Sequence, residues 1–405
     1  MRFDIGVVAT HIYPALGYGG VSVSAFKLTQ AWGNQFDIKI CLCSSDASEK
    51  GLIISDDVKL NSNVKVLLYR AYFFKRWGFG LGAIMSLYYL CKNSKRVYIH
   101  GVATWPTTLA AFICVILRTP FVVAPRGGLM KEHVEFIKNN KSVKHIFYKN
   151  ITYPLLRRSN LIHCTSEIEA MDIKNYIKPA PPTVIYPNGI KLNGYPKISL
   201  TEISKNNLIM SYVGRISHEK GINSFLKAWL TVKRSNDLFL IAGGSAGLDG
   251  DIYFKEFLEL VKQSKGAIVY RGYIDEGDVN KMVQESHYLV LPSGLEGDVR
   301  ENFGNVVAES LTLGRPVIVS SGLACDFLHE RGIGLIFDRN VRSAEDVILR
   351  AINQDSVSWA KMALDARRYA EEFLDISKIS AGILVAIEMA TGGNDSSSTL
   401  IKMDN

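Results

Sequence analysis

Short apolar runs rich in β-branched residues alternate with longer amphipathic stretches along almost the whole chain, and they do so in two blocks. In the first block Asp4–Ala9, Asp37–Cys43, Val64–Tyr69, Val97–His100, Phe121–Ala124, Leu161–Cys164 and Thr183–Tyr186 read as strands. Val21–Trp32, Gly80–Lys92, Trp105–Leu117, Glu135–Tyr148 and Ser166–Ile177 read as the helices between them. Parallel strands need a helical crossover, so this alternation predicts βαβ units and a buried parallel sheet. The pattern breaks where Pro179, Pro181, Pro182 and Pro187-Asn188-Gly189 cluster, followed by polar residues up to Asn207, which reads as a linker. It then restarts with strands at Leu208–Val213, Leu238–Ala242, Ala267–Tyr270, Tyr288–Leu291, Pro316–Val319 and Leu335–Phe337. The helices of this block are Gly221–Lys233, Tyr253–Gln263, Gly277–Glu285, Phe303–Leu313, Ala344–Asn353 and Trp359–Phe373, with an apolar helix Ile376–Ala390 behind them. The expectation is α/β: two doubly wound Rossmann-like domains over residues 1–187 and 188–374, a C-terminal helix over 375–391, and a Gly/Ser/Asn/Asp-rich disordered tail over 392–405.

The chain's 405 residues are enough for two or three domains, so no disulfide or structural metal is needed to hold a core. No apolar run reaches the roughly 18–20 residues of a membrane span. The acid at Asp4 and the shortness of Ile5–Ala9 argue against a signal peptide. These features predict a cytoplasmic protein. The six cysteines fit that compartment: none forms a C-x-x-C pair, and Cys41 and Cys43 share one face of a strand, as packed reduced thiols would. Charge is divided unevenly. Residues 1–187 carry a balance of +12 and residues 188–405 a balance of −4, so the first half should meet something anionic.

Ligands of open α/β sheets bind beyond the carboxyl ends of the strands, and the polar motifs of this chain follow strands. Gly17-Tyr18-Gly19-Gly20 opens the first helix, either as a plain turn or as a close backbone approach to an anion; it is not the dinucleotide G-x-G-x-x-G. His100-Gly101 ends the fourth strand, where the histidine is either structural or turned to a sugar or phosphate. Pro125-Arg126-Gly127-Gly128 ends the next, with Arg126 an anion contact or half of a surface ion pair. In the second block Gly214-Arg215 and Lys220-Gly221 share one loop: a diphosphate clamp or two solvated cations. Glu301 precedes a helix start at Asn302, Phe303, Gly304 and Asn305, and Glu309 lies about two turns into that helix. The two carboxylates could each hold a sugar hydroxyl pair. On spacing alone they read as a dipole cap and an ordinary helical glutamate.

The collinear set of a glycine-rich loop, His100-Gly101, Pro125-Arg126-Gly127, Ser166-Glu167, Tyr186-Pro187-Asn188-Gly189-Ile190, Gly214-Arg215, Lys220-Gly221 and Glu301-x7-Glu309 resembles the retaining glycosyltransferases of family 4. The resemblance runs from Ile5 to about Ala390. It implies the GT-B fold, with two Rossmann-like domains facing a central cleft and the last helix crossing back to the first domain. It implies a nucleotide-diphosphate sugar donor held in the second domain. Glu309 would hold the ribose and Glu301 the donor sugar. Asn302, Phe303, Gly304 and Asn305 would hold the sugar and distal phosphate through their backbone. Arg215 and Lys220 would neutralise the departing diphosphate, His100 would lie against the transferring sugar, and Gly19 and Gly20 would approach the phosphates. The segment Gly272 to Asp278 would lie beside the base. One departure is the insertion Gly294–Arg300 before the first glutamate. Glu296 offers a second register, but eight residues beyond it stands Gly304, so Glu301 is preferred.

Cations and a helix start can stabilise the departing phosphate without a metal or other cofactor, and Asp249-Gly250-Asp251 matches a metal motif only in its letters. Basic residues interleaved with aromatics over Tyr69–Arg96, and a balance of +5 over Lys131–Arg158, suit an anionic membrane surface and a lipid-linked oligosaccharide acceptor at the inner face of the plasma membrane. A soluble enzyme with a solvated basic face and a soluble acceptor is the alternative. Nucleic acid is disfavoured, because no binding motif accompanies the charge. The rival functions are a nucleotide-sugar epimerase, a pyridoxal-type phosphorylase, and a nucleotide-sugar-binding partner subunit without turnover.

Overall fold

A computed structural model describes residues 2–15, 20–48, 51–53, 58–192, 195, 207–245, 252–297, 302, 304–325 and 327–392. The chain divides into two compact units: Met1–Gly189 with Ile376–Asn405, and Ile190–Asp375.

The first unit is built on a seven-stranded parallel sheet. Its strands are β1 (Ile5–Ala9), β2 (Ile40–Ser45), β3 (Val64–Tyr69), β4 (Val97–His100), β5 (Phe121–Ala124), β6 (Leu161–Cys164) and β7 (Thr183–Ile185), in the order β3-β2-β1-β4-β5-β6-β7. Successive side chains point to opposite faces, which sorts each strand between two cores. Ile5, Val7, Ile40, Leu42, Tyr98 and Val122 face helices Gly20–Gln35 and Ile376–Ala390. Val8, Cys41, Cys43, Ile99 and Val123 face helices Gly82–Asn93 and Trp105–Leu117, beside Cys91 and Cys114. All six cysteines are buried, and none is in a disulfide. The last helix is tied to the first by Trp32, whose indole N–H donates to Ser380 O at 2.9 Å, and by Ser380 Oγ donating to Gln35 at 3.0 Å.

Two local elements differ from the sequence pattern. The stretch expected as one helix over Glu135–Tyr148 is two helices, Lys131–Asn140 and Ser142–Phe147, followed by a π turn over Tyr148–Thr152 and a short helix Tyr153–Leu156. The break falls at Lys141, whose φ of −144° and ψ of 69° are not helical. Ala47–Ser48 and Gly51–Leu52 form a small antiparallel pair that the pattern does not announce.

The second unit holds a six-stranded parallel sheet of β8 (Ile209–Val213), β9 (Leu238–Ala242), β10 (Ile268–Tyr270), β11 (Tyr288–Leu291), β12 (Val317–Ser320) and β13 (Gly334–Phe337), in the order β10-β9-β8-β11-β12-β13. Met210, Tyr212, Phe239, Ile241 and Val290 fill one core with Trp229 and Phe225. Leu289, Leu291, Val317 and Val319 fill another against helix Asn305–Thr312. Both sheets therefore share the order 3-2-1-4-5-6 of the dinucleotide-binding fold, and each reverses direction beside its first strand. No helix among the described residues is long and apolar enough to cross a membrane.

Candidate functional site

In the first unit the reversal lies between β1 and β4. The residues that follow those strands flank the crevice where an α/β sheet takes its ligand. His100 ends β4. It is only 1% exposed, and its Nε2 lies 3.0 Å from Ser24 Oγ on helix Gly20–Gln35. Its Nδ1 is buried without a hydrogen-bond partner among the described residues. Burial, and then the nearby Arg126 and His163, hold His100 well below the ordinary imidazole value of 6.5. It is thus a neutral imidazole at pH 7, a hydrogen-bonding group and not a cation. Gly20 is the exposed first residue of the same helix; Gly19 lies outside the described residues.

Arg126 follows β5 in the left-handed region, with φ of 55°. Its guanidinium turns inward. Nη1 donates to Asn188 Oδ1 at 2.7 Å and Nη2 to Tyr98 OH at 2.9 Å. The network continues from Tyr98 OH to His163 Nδ1 at 2.7 Å, and His163 Nε2 lies 2.9 Å from Tyr186 O. A carbonyl only accepts, so Nε2 carries the proton and Nδ1 accepts from Tyr98. Burial, with the charge of Arg126, keeps His163 neutral as well. Glu169 is a second inward charge. Its carboxylate accepts from Gly127 N at 2.5 Å, Thr165 N at 2.8 Å and Thr165 Oγ1 at 3.1 Å, clamping the loop that carries Arg126. Neither Glu169 nor the Tyr98–His163 pair is a sequence-predicted site residue. Glu169 does have a signal, because Ser166-x-x-Glu169 has capping-box spacing and Ser166 Oγ accepts from Glu169 N at 3.2 Å. Tyr98 and His163 have none, since both sit at inward positions of strands that otherwise read as apolar.

In the second unit the reversal lies between β8 and β11. Gly243, after β9, has φ of 143°, and a Cβ there would stand 1.8 Å from Gly214 O. Only glycine lets the loops after β8 and β9 meet so closely. Arg215 follows Gly214. Its carbonyl accepts from Tyr212 OH at 2.7 Å, while its side chain is 57% exposed and lies 3.3 Å from Glu219. Lys220 closes a 3-10 turn, His218–Lys220, that leads into helix Ile222–Val232. The structure thus brings both predicted cations onto one loop. An exposed pair such as Arg215–Glu219 is weak, so the guanidinium can exchange the carboxylate for a phosphate at little cost.

That loop packs against the one that follows β11. Gly294 N donates to Glu219 O at 3.2 Å, and a Cβ on Gly221 would stand 2.5 Å from Pro292 O. Glu296 is engaged elsewhere: its Oε1 accepts from Ser224 N at 2.6 Å and Tyr253 OH at 3.2 Å, so it caps the start of helix Ile222–Val232. Glu301, Phe303 and the inserted residues 298–300 lie outside the described residues, as does Asp249-Gly250-Asp251. Asn302 and Gly304 precede the helix, which begins at Asn305 and not at Phe303, because Gly304 takes φ of 60°. Glu309 is consequently the fifth helical residue, just over one turn in and not two. Its charge reaches Tyr195, whose phenol is pushed up by burial and then by Glu309 and Glu276.

A family model described as Glycosyltransferase Family 4 matches residues 18–193, and one described as Glycosyl transferases group 1 matches residues 199–373. The chain belongs to glycosyltransferase family 4. An uncharacterized glycosyltransferase of Methanocaldococcus jannaschii is 25% identical over 151 residues, which is 36% of this chain and 33% of that protein. An uncharacterized 41.2 kDa protein in the cps region of Klebsiella pneumoniae is 28% identical over 198 residues, 46% of this chain and 49% of that protein. The chain thus matches half or less of the length of these curated relatives. HepE of Anabaena, solved in complex with UDP, superposes with a TM-score of 0.74 at 18% identity, over 96% of this chain and 100% of that one. The fold of this family 4 member is GT-B.

Proposed function

We propose that the protein transfers a sugar from a nucleotide-diphosphate sugar to a hydroxyl of a saccharide acceptor, with retention of anomeric configuration and without a metal. The observation that carries this reading is the loop that holds Arg215 and Lys220 together at the end of β8, beside the sheet's point of reversal. Breaking the sugar–phosphate bond leaves charge on the diphosphate, and preorganised cations stabilise that charge. The helix start at Gly304 and Asn305 offers backbone N–H groups to the same anion. Glu309 would take the ribose hydroxyls and Glu301 those of the donor sugar. The solved complexes of HepE with UDP and with UDP-glucose make UDP the first nucleotide to try.

In the first unit, His100 would offer a neutral imidazole to the transferring sugar, and Gly20 a helix start to the phosphates. Arg126 would act through the loop it braces. The acceptor oxygen attacks the anomeric carbon on the face the phosphate leaves. The acceptor proton passes to the departing phosphate oxygen, so no covalent sugar–enzyme bond is required. The net charge of +12 over residues 1–187 favours an acceptor carried on a lipid, as in surface polysaccharide assembly.

Thermal denaturation with UDP, GDP and ADP, and with their sugar conjugates, tests the donor. A ligand at about 100 times its Kd adds about 2.7 kcal/mol. Stabilisation by one nucleotide, unchanged by EDTA, is expected. No stabilisation by any of them would refute the donor assignment. An α-configured product from an α-configured donor is the expected outcome by NMR, and inversion would refute the same-face route. Turnover of the donor alone to an epimer would instead favour the epimerase.

A further inference from the structure

From Val58 through Lys131 the chain has no aspartate or glutamate, while it has eleven lysines and arginines. Such a stretch has no counter-charge of its own; Lys95 and Arg96 pair with Asp4 and Glu388 from elsewhere in the chain, and the exposed Lys75 and Arg76 at the loop tip add positive potential to the surface. Within it, the loop between β3 and helix Gly82–Asn93 is built to hold a tip in water. Tyr72 N donates to Phe79 O at 2.9 Å, and Leu81 N donates to Tyr72 OH at 2.9 Å. Trp77 stacks on Phe79 with centroids 6.4 Å apart, and Phe79 meets Trp105 at 4.8 Å. The tip of this braced loop is Phe73-Phe74, 74% and 78% exposed, followed by the exposed Lys75 and Arg76. Phe74 takes a left-handed φ of 57°, a conformation that costs a bulky residue about 1 kcal/mol or more.

The tip has a neighbour of the same character. Trp77 packs edge-on against Phe147 at 6.2 Å, which sets helix Ser142–Phe147 beside the loop. That helix exposes Val143 (83%) and Ile146, with Lys141, Lys144 and Lys149 around them. The positive field there is strong enough to help burial push His133 down to about 4, through Lys144 and Lys141. The acids nearest in sequence are Glu132 and Glu135, on helix Lys131–Asn140.

We propose that Phe73-Phe74 and helix Ser142–Phe147 form one docking surface for an anionic lipid bilayer, with the apolar tips in the acyl boundary and the cations among the headgroups. Exposed apolar residues ringed by cations, on a rigid support, match such a surface in both hydrophobicity and sign. The surface also lies where a lipid-linked acceptor would need it. The loop follows β3 at the carboxyl end of the sheet, and Trp77 Nε1 donates to Ala103 O at 2.8 Å, three residues beyond His100. His11 Nε2 lies 3.4 Å from Arg76 O on the other side. Bilayer docking would thus present the acceptor-side strand ends to the lipid surface. The purpose of the docking rests on the proposed acceptor; the docking itself does not.

Sedimentation with vesicles of phosphatidylcholine, with and without phosphatidylglycerol, tests it on the whole protein, in parallel with UDP binding by thermal denaturation. Binding is expected only with phosphatidylglycerol, weakening as salt rises. The F73S/F74S variant should bind at least about tenfold more weakly at unchanged thermal midpoint. The K75E/R76E variant should lose at least about tenfold too, since each basic group near an anionic surface contributes about fivefold. If one variant fails to fold, the other decides. Absence of vesicle binding, equal binding to neutral vesicles, or both folded variants binding like wild type would overturn the proposal, as would retention on an acidic polymer without vesicle binding. UDP binding without vesicle binding would sink the docking and leave the donor assignment standing. Vesicle binding without nucleotide binding would do the reverse.

Discussion

The two sheets have the same strand order through their first six strands, yet their carboxyl edges are finished in opposite ways. In the first unit the polar groups turn inward: His100 bonds Ser24, Arg126 bonds Tyr98 and Asn188, and Glu169 takes two backbone N–H groups and a hydroxyl. In the second unit glycines let the loops at the edge pack closely on one another, and the Arg215 side chain stands out in solvent beside Glu219. A charge turned inward is costly unless it is partnered, so the bonds that Arg126 and Glu169 make fix the shape of their loop. An exposed charge held only in a weak surface pair can exchange its carboxylate for a ligand. One topology thus supports a braced edge and a receptive edge, and the difference lies in which way a few side chains point.

The largest effect is expected from removing charge at the receptive edge. Arg215→Ala and Lys220→Ala should each lower kcat about 10²–10³-fold, while stability changes by less than about 0.5 kcal/mol. Steady-state kinetics beside thermal denaturation would show it, and unchanged turnover in both variants would refute the clamp. Next in size is Gly243→Ala. The added Cβ meets Gly214 O at 1.8 Å, so about 3 kcal/mol should be lost, together with stabilisation by nucleotide. A variant with the wild-type urea midpoint would show that the two loops can separate freely.

On the braced edge, Glu169→Ala strands two backbone N–H groups and a hydroxyl, and about 2 kcal/mol of stability should go with it. Here the urea midpoint falls first and activity follows it, the opposite of Arg215→Ala. Glu296→Ala removes a helix cap, for a loss of about 1 kcal/mol with turnover retained. A collapse of turnover in that variant would mean that Glu296, and not Glu301, serves the sugar. The smallest change near neutrality comes from pH. His100 and His163 are held well below 6.5 by burial, and the unfolded chain takes up protons that the folded chain refuses. Their contribution is therefore full above 6.5 and declines as pH falls below it. Urea midpoints that stay flat down to about pH 5.5 would contradict the buried neutral imidazoles.

Much of the fold is legible in the residues. Val64–Tyr69, Val97–His100, Phe121–Ala124, Leu161–Cys164, Leu238–Ala242 and Tyr288–Leu291 occupy the positions that the apolar runs mark. A parallel strand buried on both faces reads as one continuous run, and its ends are sharp. The pair Ala47–Ser48 and Gly51–Leu52 is too short to have a period. The break at Lys141 leaves no mark in the pattern, because the residues on either side keep a helical spacing. At the candidate site, the glycines that flank Arg215 and Lys220 point to the loop that joins them. The Glu309 helix starts at Asn305, two residues beyond the start its pattern predicts, since glycine at Gly304 gives no sign of whether it begins the helix or precedes it.

The two α/β blocks, the break between them, the shared loop of Arg215 and Lys220, and the basic character of the first half can all be read along the chain. These are local properties: periodicity, turn chemistry and charge count along the chain. Folding in three dimensions is what turns Arg126 inward to Asn188 and Tyr98, clamps Gly127 with Glu169, brings Glu296 to Ser224, 72 residues earlier, to cap its helix, and sets Phe73-Phe74 beside helix Ser142–Phe147 through Trp77. A polar side chain can turn to water or to a partner at equal cost in local geometry. Burial chooses between them, and burial depends on contacts between residues far apart in the chain.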